Sequence, residues 1–346
     1  MNKKEKRLIQ LKITQMLQPS KLPELPQLPQ LPQLPQLPWE IIIHIFSYLK
    51  EDPIQYPILY YTLPNFYKIV PSNQQLNSLF IWAIENENEK LFYLAKKWGA
   101  TNFNNMLAIV AEKENEKLCY LAKEWGATNF NDMLAIVAEK GNEKLCYLAK
   151  EWGATNFNRM LLRATYGGHE DLCHLARIWG ARDFDLMLLA AAEKENEKLC
   201  YLAKEWGATN FNKMLNIATR FKHEKLCYLA KEWGAFFFNW MICTAAEIGD
   251  EHLCYLAKDW GADNFDGMLC TAALYGHESI CHLAKEWGAY SFDSMLIAAT
   301  EGGHEQICYL AKEWGATNFR YMMSTALRCK HKRLFNLAKE WESSEL

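Results

Sequence analysis

The sequence predicts an all-α chain organised as a solenoid of about ten helical hairpins. Tryptophan recurs every 27 residues from Trp98 to Trp341, without an insertion or a deletion. Methionine keeps the same spacing from Met106 to Met322. A fixed period of this length is typical of proteins built from stacked supersecondary units. No segment alternates with the period of two that a β-strand requires, so each unit is expected to be helical.

The residues from Asn129 to Gly153 show why each unit is expected to contain two helices. Apolar residues in the first half recur at i, i+1, i+4 and i+5, which marks one buried helical face; they are Met133, Leu134, Val137 and Ala138. Gly141 lies in the following turn, where glycine readily ends a helix. A second stripe recurs at i, i+3, i+4 and i+7; it consists of Leu145, Leu148, Ala149 and Trp152. Gly153 ends the second helix, and Thr155 or Asn156 is placed to cap the next one.

Two units share a pattern of leucine, alanine, glycine and histidine. They carry Leu161, Ala164, Thr165, Gly168, His169, Gly180 and Ala181, and then Leu269, Ala272, Ala273, Gly276, His277, Gly288 and Ala289. This pattern resembles the ankyrin repeat, although the Thr-Pro-Leu-His signature is missing and the connection between hairpins is about six residues shorter. The resemblance implies a fingerless, ankyrin-like solenoid over residues 76–342, with a generic α-solenoid as the alternative. It also implies that histidines in the turns tie neighbouring units by hydrogen bonds; they are His169, His223, His277, His304 and His331.

The charge and composition give no support to binding of nucleic acid or membranes. The net charge is −3, half of the residues are hydrophobic and 23% are charged, which is the composition of a soluble, core-forming protein. No apolar run approaches the roughly 18–20 residues that span a bilayer. Residues 1–7 are charged, but no hydrophobic signal region follows them. We therefore expect a cytoplasmic monomer without a membrane or nucleic-acid partner.

Eight of the eleven cysteines form a ladder with one member per unit. These are Cys119, Cys146, Cys173, Cys200, Cys227, Cys254, Cys281 and Cys308. We expect them to be small buried side chains in a reducing compartment, with disulfides and a metal site as the alternatives. Packed helices lie roughly 8–10 Å apart, further than the about 4.4–6.8 Å between Cα atoms that a disulfide allows. The sequence also has no CxxC pair, so neither a metal nor another cofactor is expected.

Residues 1–36 have the composition of a disordered basic tail followed by a Leu-Pro-Gln spacer. From Leu22 onward leucine and proline recur with a period of three. This period matches the polyproline II helix, which would place the leucines along one edge of a semi-rigid rod. A docking motif for an aromatic groove is the alternative. All eleven prolines lie at or before Pro71, which marks the boundary of the repeats.

Residues 37–49 read Leu-Pro-Trp-Glu-Ile-Ile-Ile-His-Ile-Phe-Ser-Tyr-Leu, with apolar residues at helical spacing. This segment resembles the F-box motif, and residues 60–70 are similar to its end but lack its cysteine and tryptophan. The resemblance implies a three-helix F-box-like segment over residues 37–72. It would bind a Skp1-like adaptor through Leu37, Pro38, Ile42, Ile45 and Leu49. A short amphipathic hairpin that caps the first repeat is the alternative.

Catalysis by this chain is not expected, because no glycine-rich phosphate loop, HExxH or GxSxG motif occurs. Cys173 and His174 are adjacent, but neighbouring helical residues point in different directions. The lysines and glutamates of the recurring Lys-Glu-Trp are expected to form solvated pairs four residues apart.

The units differ along a stripe of the first helices that we expect to face outward and to bind a target protein. The stripe consists of residues one before, three after and six after each methionine. Exposed Trp, Tyr, Phe and Arg dominate binding energy at protein interfaces. The candidate residues are Arg159, Arg163, Tyr166, Trp240 and Thr244 on this stripe, together with Phe236 and Phe237, which precede Trp240 where most other units have Thr and Asn. Sequence drift on a tolerant surface is the alternative.

An F-box followed by near-identical repeats resembles proteins that large DNA viruses of amoebae encode in numbers. The resemblance implies a substrate receptor of a Skp1–cullin–F-box ubiquitin ligase, which for a viral protein would act in the host cytoplasm. Such a receptor raises the concentration of its target at the ligase. The alternative is a protein-binding scaffold or sequestering module without a link to a ligase.

Overall fold

The computed structural model describes residues 77–344 apart from residues 78–79, 82, 86–88 and 98. The predicted tail and spacer, residues 1–36, and the predicted F-box-like segment, residues 37–72, lie outside the described residues. Within the described part the chain is helical and contains no strand. It forms ten consecutive helix pairs, of which the first is described only in part. The predictions of an all-α repeat protein and of a helical solenoid are confirmed for this region.

Each unit consists of a first helix and a second helix. Residues 83–85 are helical and precede α1, Glu89–Lys97, which is the second helix of its unit. The later first helices all begin at phenylalanine: α2 Phe103–Glu112, α4 Phe130–Lys140, α6 Phe157–Gly167, α8 Phe184–Glu193, α10 Phe211–Arg220, α12 Phe238–Glu247, α14 Phe265–Tyr275, α16 Phe292–Gly302 and α18 Phe319–Arg328. The second helices that follow them are α3 Glu116–Glu124, α5 Glu143–Glu151, α7 Glu170–Trp179, α9 Glu197–Glu205, α11 Glu224–Glu232, α13 Glu251–Asp259, α15 Glu278–Glu286, α17 Glu305–Glu313 and α19 Lys332–Ser344.

The helix ends follow the predicted chemistry. Asn156 is the N-cap of α6, and its side chain accepts a hydrogen bond from the Arg159 backbone N–H. Gly141 ends α4 in the left-handed conformation, with φ of 85°. Four units place Glu114, Glu195, Lys222 or Lys330 at the equivalent turn position, also with positive φ. A side chain in that conformation is strained, so the unit geometry is imposed by stacking as well as by local sequence.

The core runs through the whole array without interruption. Met160, Leu161 and Ala164 of α6 are fully buried, and Cys173 and Ala176 of α7 are buried against them. The predicted burial of both stripes is confirmed for the unit of residues 129–153, and in the other units the equivalent residues are buried or partly buried in the same core. Because the small residues alanine and cysteine line the contact, the two helices of a unit can approach closely.

Neighbouring units contact each other mainly through their first helices. Helix α4 packs against α2 and α6, and the same relation continues to α18. Backbone contacts between successive second helices are weaker. Bulky aromatic side chains lie between the second helices, whereas methionine, alanine and threonine lie between the first helices. The first helices therefore form the tighter side of the array.

The tryptophans of the 27-residue series from Trp125 to Trp341 pack against the first helix of their own unit and the second helix of the preceding unit. The Trp152 ring lies 5.2 Å from the Tyr120 ring and 5.6 Å from the Phe130 ring, both edge to face. The Lys123 ammonium lies 4.7 Å from the centre of the same indole. Aromatic pairs contribute about 0.5–1.5 kcal/mol beyond their buried area, and partly exposed cation–π contacts contribute about 0.5–1 kcal/mol. Recurrence of this arrangement explains the constant spacing of tryptophan.

The prediction that Lys and Glu pair within a helix is wrong for the described residues. In every Lys-Glu-Trp before the last unit, the lysine faces the tryptophan of the next unit, as Lys123 does. The lysine–glutamate bridges that form join different units, as between Lys144 and Glu116 at 2.6 Å. Stacking of the units brings together residues that are 27 or 28 positions apart in the sequence. The prediction considered only contacts within one helix and therefore missed these pairs.

Candidate functional site

A ladder of polar side chains fixes the loop that enters each first helix. Asn131 Oδ1 accepts hydrogen bonds from the backbone N–H groups of Thr155 and Asn156, both at 2.8 Å. The next units repeat the arrangement with Asn or Asp. Asn212 Oδ1 likewise accepts from the backbone N–H groups of Phe236 and Phe237, at 2.8 and 3.0 Å. This loop therefore keeps the common backbone arrangement, although its side chains differ from those of the other units.

Three aromatic side chains are exposed together at this loop and at the start of α12. Phe236, Phe237 and Trp240 are 65%, 47% and 44% exposed, and we call them the aromatic cluster. The rings of Phe236 and Phe237 lie 4.7 Å apart, edge to face. The cluster borders a shallow groove of about 200 Å³ that Phe238, Asn239 and Gly261 complete. The predicted exposure of these three residues is confirmed.

Phe237 occupies a place that a polar side chain holds in the other units. It is the N-cap of α12 and its side chain caps no backbone N–H group. At the same position five units have an Asn or Asp that accepts a hydrogen bond from its helix, and three have a polar residue that does not. Loss of a polar N-cap costs about 0.5–2 kcal/mol. The unit therefore carries an exposed phenyl ring where a polar residue would stabilise the fold better.

The predicted target-binding residues of α6 are held in contacts between units. Arg159 forms an ion pair with Asp132. Arg163 Nη1 lies 3.0 Å from Glu139 Oε2. Tyr166 donates its hydroxyl to Glu193 at 3.1 Å; partial burial first, and then this carboxylate, raise the pKa of Tyr166. Their charged and polar ends are thus already paired within the array.

The predicted outward position of Thr244 is wrong. Its side chain is only 2% exposed, and its hydroxyl accepts a hydrogen bond from Asn216 Nδ2 at 2.6 Å. Thr244 lies three residues after the buried Met241, and residues at i and i+3 share a helical face. It therefore belongs to the contact between α10 and α12 and is not part of the exposed surface. The predicted adaptor-binding residues Leu37, Pro38, Ile42, Ile45 and Leu49 lie outside the described residues.

Sequence reasoning missed a second exposed site at which one unit differs from the others, at the end of α7. Ile178 is 77% exposed where all other units carry a charged residue, Glu or Asp in each except the first, which has Lys97. Arg177 and Arg182 lie beside it with His174 and Phe184 around a shallow groove. Arg177 is stacked over Trp206 at 4.7 Å. Comparison of all positions of the unit, instead of the first helices alone, would have found this surface.

The histidines of the turns connect neighbouring units, as predicted. His169 Nε2 lies 3.0 Å from the backbone carbonyl of Glu139, 30 residues earlier in the chain. The other four make the same contact: His223 with Glu193, His277 with Glu247, His304 with Leu274 and His331 with Glu301. The ring fills space beside a turn glycine of the preceding unit, such as Gly141. These histidines therefore have a structural role.

The cysteine ladder is buried, and its thiols are free. Burial, followed by the nearby Glu143, raises the pKa of Cys146 to about 12. Such a thiol stays protonated at neutral pH and is a poor nucleophile. Among the described residues no cluster of His, Cys, Asp or Glu has the arrangement of a metal site. In the same part of the chain, no helix is long and apolar enough to span a bilayer.

Comparison with known proteins gives no family for this chain. A scan against protein-family models found no match, and a search of curated proteins found no significant relative.

Proposed function

We propose that the chain is a non-catalytic receptor whose repeats bind a target protein through the aromatic cluster. The observation that carries this proposal is the adjacent exposure of Phe236, Phe237 and Trp240 in an otherwise regular array. Contiguous exposed apolar side chains mark interaction sites more often than single ones do. Large aromatic residues also supply most of the binding energy at protein interfaces.

The replacement of a polar N-cap residue by Phe237 supports selection for binding over selection for stability. A sequence that drifts neutrally has no reason to give up an N-cap and to expose a phenyl ring at the same position. Trp240 lies three residues later, on the same side of the helix start, at a position that differs from unit to unit. Large exposed aromatic side chains at neighbouring positions favour a binding role.

The proposal extends to the N-terminal segment. Residues 37–72, with the F-box-like sequence, would bind a Skp1-like adaptor and link the captured protein to a cullin-RING ubiquitin ligase. The finer assignment of the repeats as fingerless and ankyrin-like rests on the Leu, Ala, Gly and His pattern, together with the histidine contacts between turns. The chain would act in the cytoplasm, and in the host cytoplasm if its source is a virus, as the resemblance implies.

The adaptor link is tested by retention of a Skp1-like protein on the full-length chain. The wild type is expected to retain the adaptor, and the Leu37→Ala/Pro38→Ala double variant to lose it. Far-UV circular dichroism of both chains checks that helix content is unchanged. If wild type and variant retain no adaptor, or retain it equally, the ligase link is excluded and the scaffold or sequestering function takes its place.

The target-binding role is tested separately with a matched pair of variants. Tyr321 holds the position in α18 that Trp240 holds in α12, and it is also exposed. Proteins from cell lysate that wild type and Tyr321→Ala retain, but Trp240→Ala loses, would be targets held by the aromatic cluster. Equal retention by all three chains would exclude the cluster as the binding site.

A further inference from the structure

The groove beside the aromatic cluster has the features of a site for an extended, uncharged peptide. Its volume of about 200 Å³ is below the roughly 300–1,000 Å³ of sites that enclose a small-molecule ligand. Its lining consists of aromatic rings, an asparagine and a glycine, without a charged side chain. A shallow aromatic surface of this kind accommodates one or two side chains of a peptide at a time.

The polar groups of the groove indicate how a peptide backbone would bind. Asn239 is held in place, because its Nδ2 donates to Asp263 Oδ1 and its Oδ1 accepts from the backbone N–H groups of Asp263 and Asn264. The indole N–H of Trp240, in contrast, has no hydrogen-bond acceptor among the described residues. Aromatic-lined grooves recognise proline-rich segments in the polyproline II conformation, and an indole N–H can donate to a carbonyl of such a segment. The groove therefore favours a left-handed extended segment with apolar residues.

The chain itself contains a segment of this chemistry. Residues 22–36 repeat leucine and proline, and from Leu25 onward they contain no charged residue. In a polyproline II helix a period of three would place all the leucines on one edge, and a chain stiffened in this way loses less freedom on binding. We propose that this Leu-Pro-Gln tract binds the aromatic cluster of the same chain and thereby competes with the target. The inference rests on the proposed function only in treating the cluster as a protein-binding site.

The length of the chain allows this contact within one molecule. Asn77 and Asn239 hold equivalent positions six units apart, which at roughly 8–10 Å per unit is about 50–60 Å. Residues 37–76 reach roughly 130–140 Å when extended. If residues 37–72 fold to roughly 20 Å across, the tract adds about 45 Å as a polyproline II rod. The Leu-Pro-Gln tract can therefore reach the groove whether residues 37–72 are extended or folded.

Contact within one molecule predicts a measurable competition. A tether of this kind gives an effective concentration of about 1 mM. A free peptide of the same sequence with a dissociation constant of about 100 μM would then bind the intact chain about tenfold more weakly than a chain whose own tract cannot bind. This tenfold ratio of affinities depends on the length and stiffness of the tether and does not change with protein concentration.

The experiment measures binding of a fluorescein-labelled peptide of residues 22–36 by fluorescence polarisation. Two full-length chains are compared: the wild type and a variant with Leu25→Ser, Leu28→Ser, Leu31→Ser and Leu34→Ser, which leaves Leu37 and Pro38 intact. We expect the variant chain to bind the peptide about tenfold more tightly. Adding Trp240→Ala to the variant should abolish binding, whereas adding Tyr321→Ala should not change it.

Several outcomes would overturn the inference. They are absence of peptide binding, equal affinity of both chains, and binding that Trp240→Ala does not reduce. Self-association of the wild type that the serine variant lacks, measured by sedimentation, would show contact between copies instead of within one chain. Loss of target capture in Trp240→Ala tests the proposed function independently of the peptide experiment. Failure of the inferred tract contact can therefore be distinguished from failure of the proposed target binding.

Discussion

Replacement of Gly141 by alanine is expected to destabilise the chain more than the same replacement at Gly168. Both glycines hold the same turn position in neighbouring units, with φ of 85° and 77°. A Cβ atom on Gly141 would lie 2.6 Å from the Cε1 atom of His169. A Cβ atom on Gly168 would meet only Asn196, at 3.8 Å. The two sites therefore share the backbone strain and differ in the contact with a histidine.

The expected magnitudes follow from these two terms. An alanine in the left-handed conformation costs about 1–2 kcal/mol, and the stiffer unfolded chain offsets about 0.4–1 kcal/mol of it. Gly168→Ala is therefore expected to cost about 1 kcal/mol. In Gly141→Ala the imidazole must also move, which breaks the bond between His169 and the Glu139 carbonyl. A hydrogen bond contributes about 0.5–1.5 kcal/mol, so the total is expected to be about 2 kcal/mol.

Urea unfolding followed by circular dichroism measures both costs, provided that the variants unfold with the same slope. The test is completed in a His169→Asn background, since asparagine holds this place in the unit of Asn196. There the excess cost of Gly141→Ala should disappear. Equal costs at the two glycines, or an excess that persists without the histidine, would refute the proposed role of the histidine contacts.

Two further predictions concern ionisable groups. Partial burial raises the pKa of Asp266, but hydrogen bonds from Ser291 and Tyr290 outweigh it and lower the pKa below its ordinary value of 3.8. The charged form is thus favoured by folding, and its contribution is present above the ordinary pKa and lost as the pH falls through the lower folded one. The stability difference between wild type and Asp266→Asn should stay constant at neutral pH and shrink as the pH falls from about 5 through the ordinary pKa of 3.8 towards the lower folded pKa. Burial, followed by Glu197, raises the pKa of Cys200 to about 12, so this thiol should resist a thiol reagent at about pH 8 until the chain is unfolded.

Each of these predictions has a clear contrary result. Asparagine accepts the equivalent bonds in other units, as Asn131 does, so it preserves the loop while removing the titration. A stability difference that does not change with pH would contradict the role given to the Asp266 carboxylate. Rapid labelling of Cys200 in the folded chain would contradict its burial, and Cys200→Ala provides the control for labelling elsewhere.

Much of the repeat architecture follows from the sequence because one physical requirement recurs in each unit. The apolar stripes around Met133 and Leu145 have to be buried, and helical spacing places each stripe on one face. The same reasoning places Gly141 at a helix end. It also predicts a buried role for Cys146, which is fully buried.

The contacts between units could not be predicted in the same way. Lys123 faces Trp152 of the next unit, and Lys144 pairs with Glu116 of the preceding one. Such pairs depend on how far successive hairpins are rotated and displaced, which the sequence of one unit does not specify. The same missing information led to the outward placement of Thr244, which the neighbouring α10 covers. Exposure of Phe236 was predictable because the loop that precedes a first helix has no neighbour on its outer side.

Hydrogen exchange on the chain with and without its captured target tests the central claim most directly. The partner is one that wild type and Tyr321→Ala retain and Trp240→Ala loses. Binding is expected to slow exchange in residues 236–247, while the equivalent residues 290–301 remain unchanged. Protection that is absent from residues 236–247, or that is equal in both segments, would contradict the assignment of the aromatic cluster as the binding site.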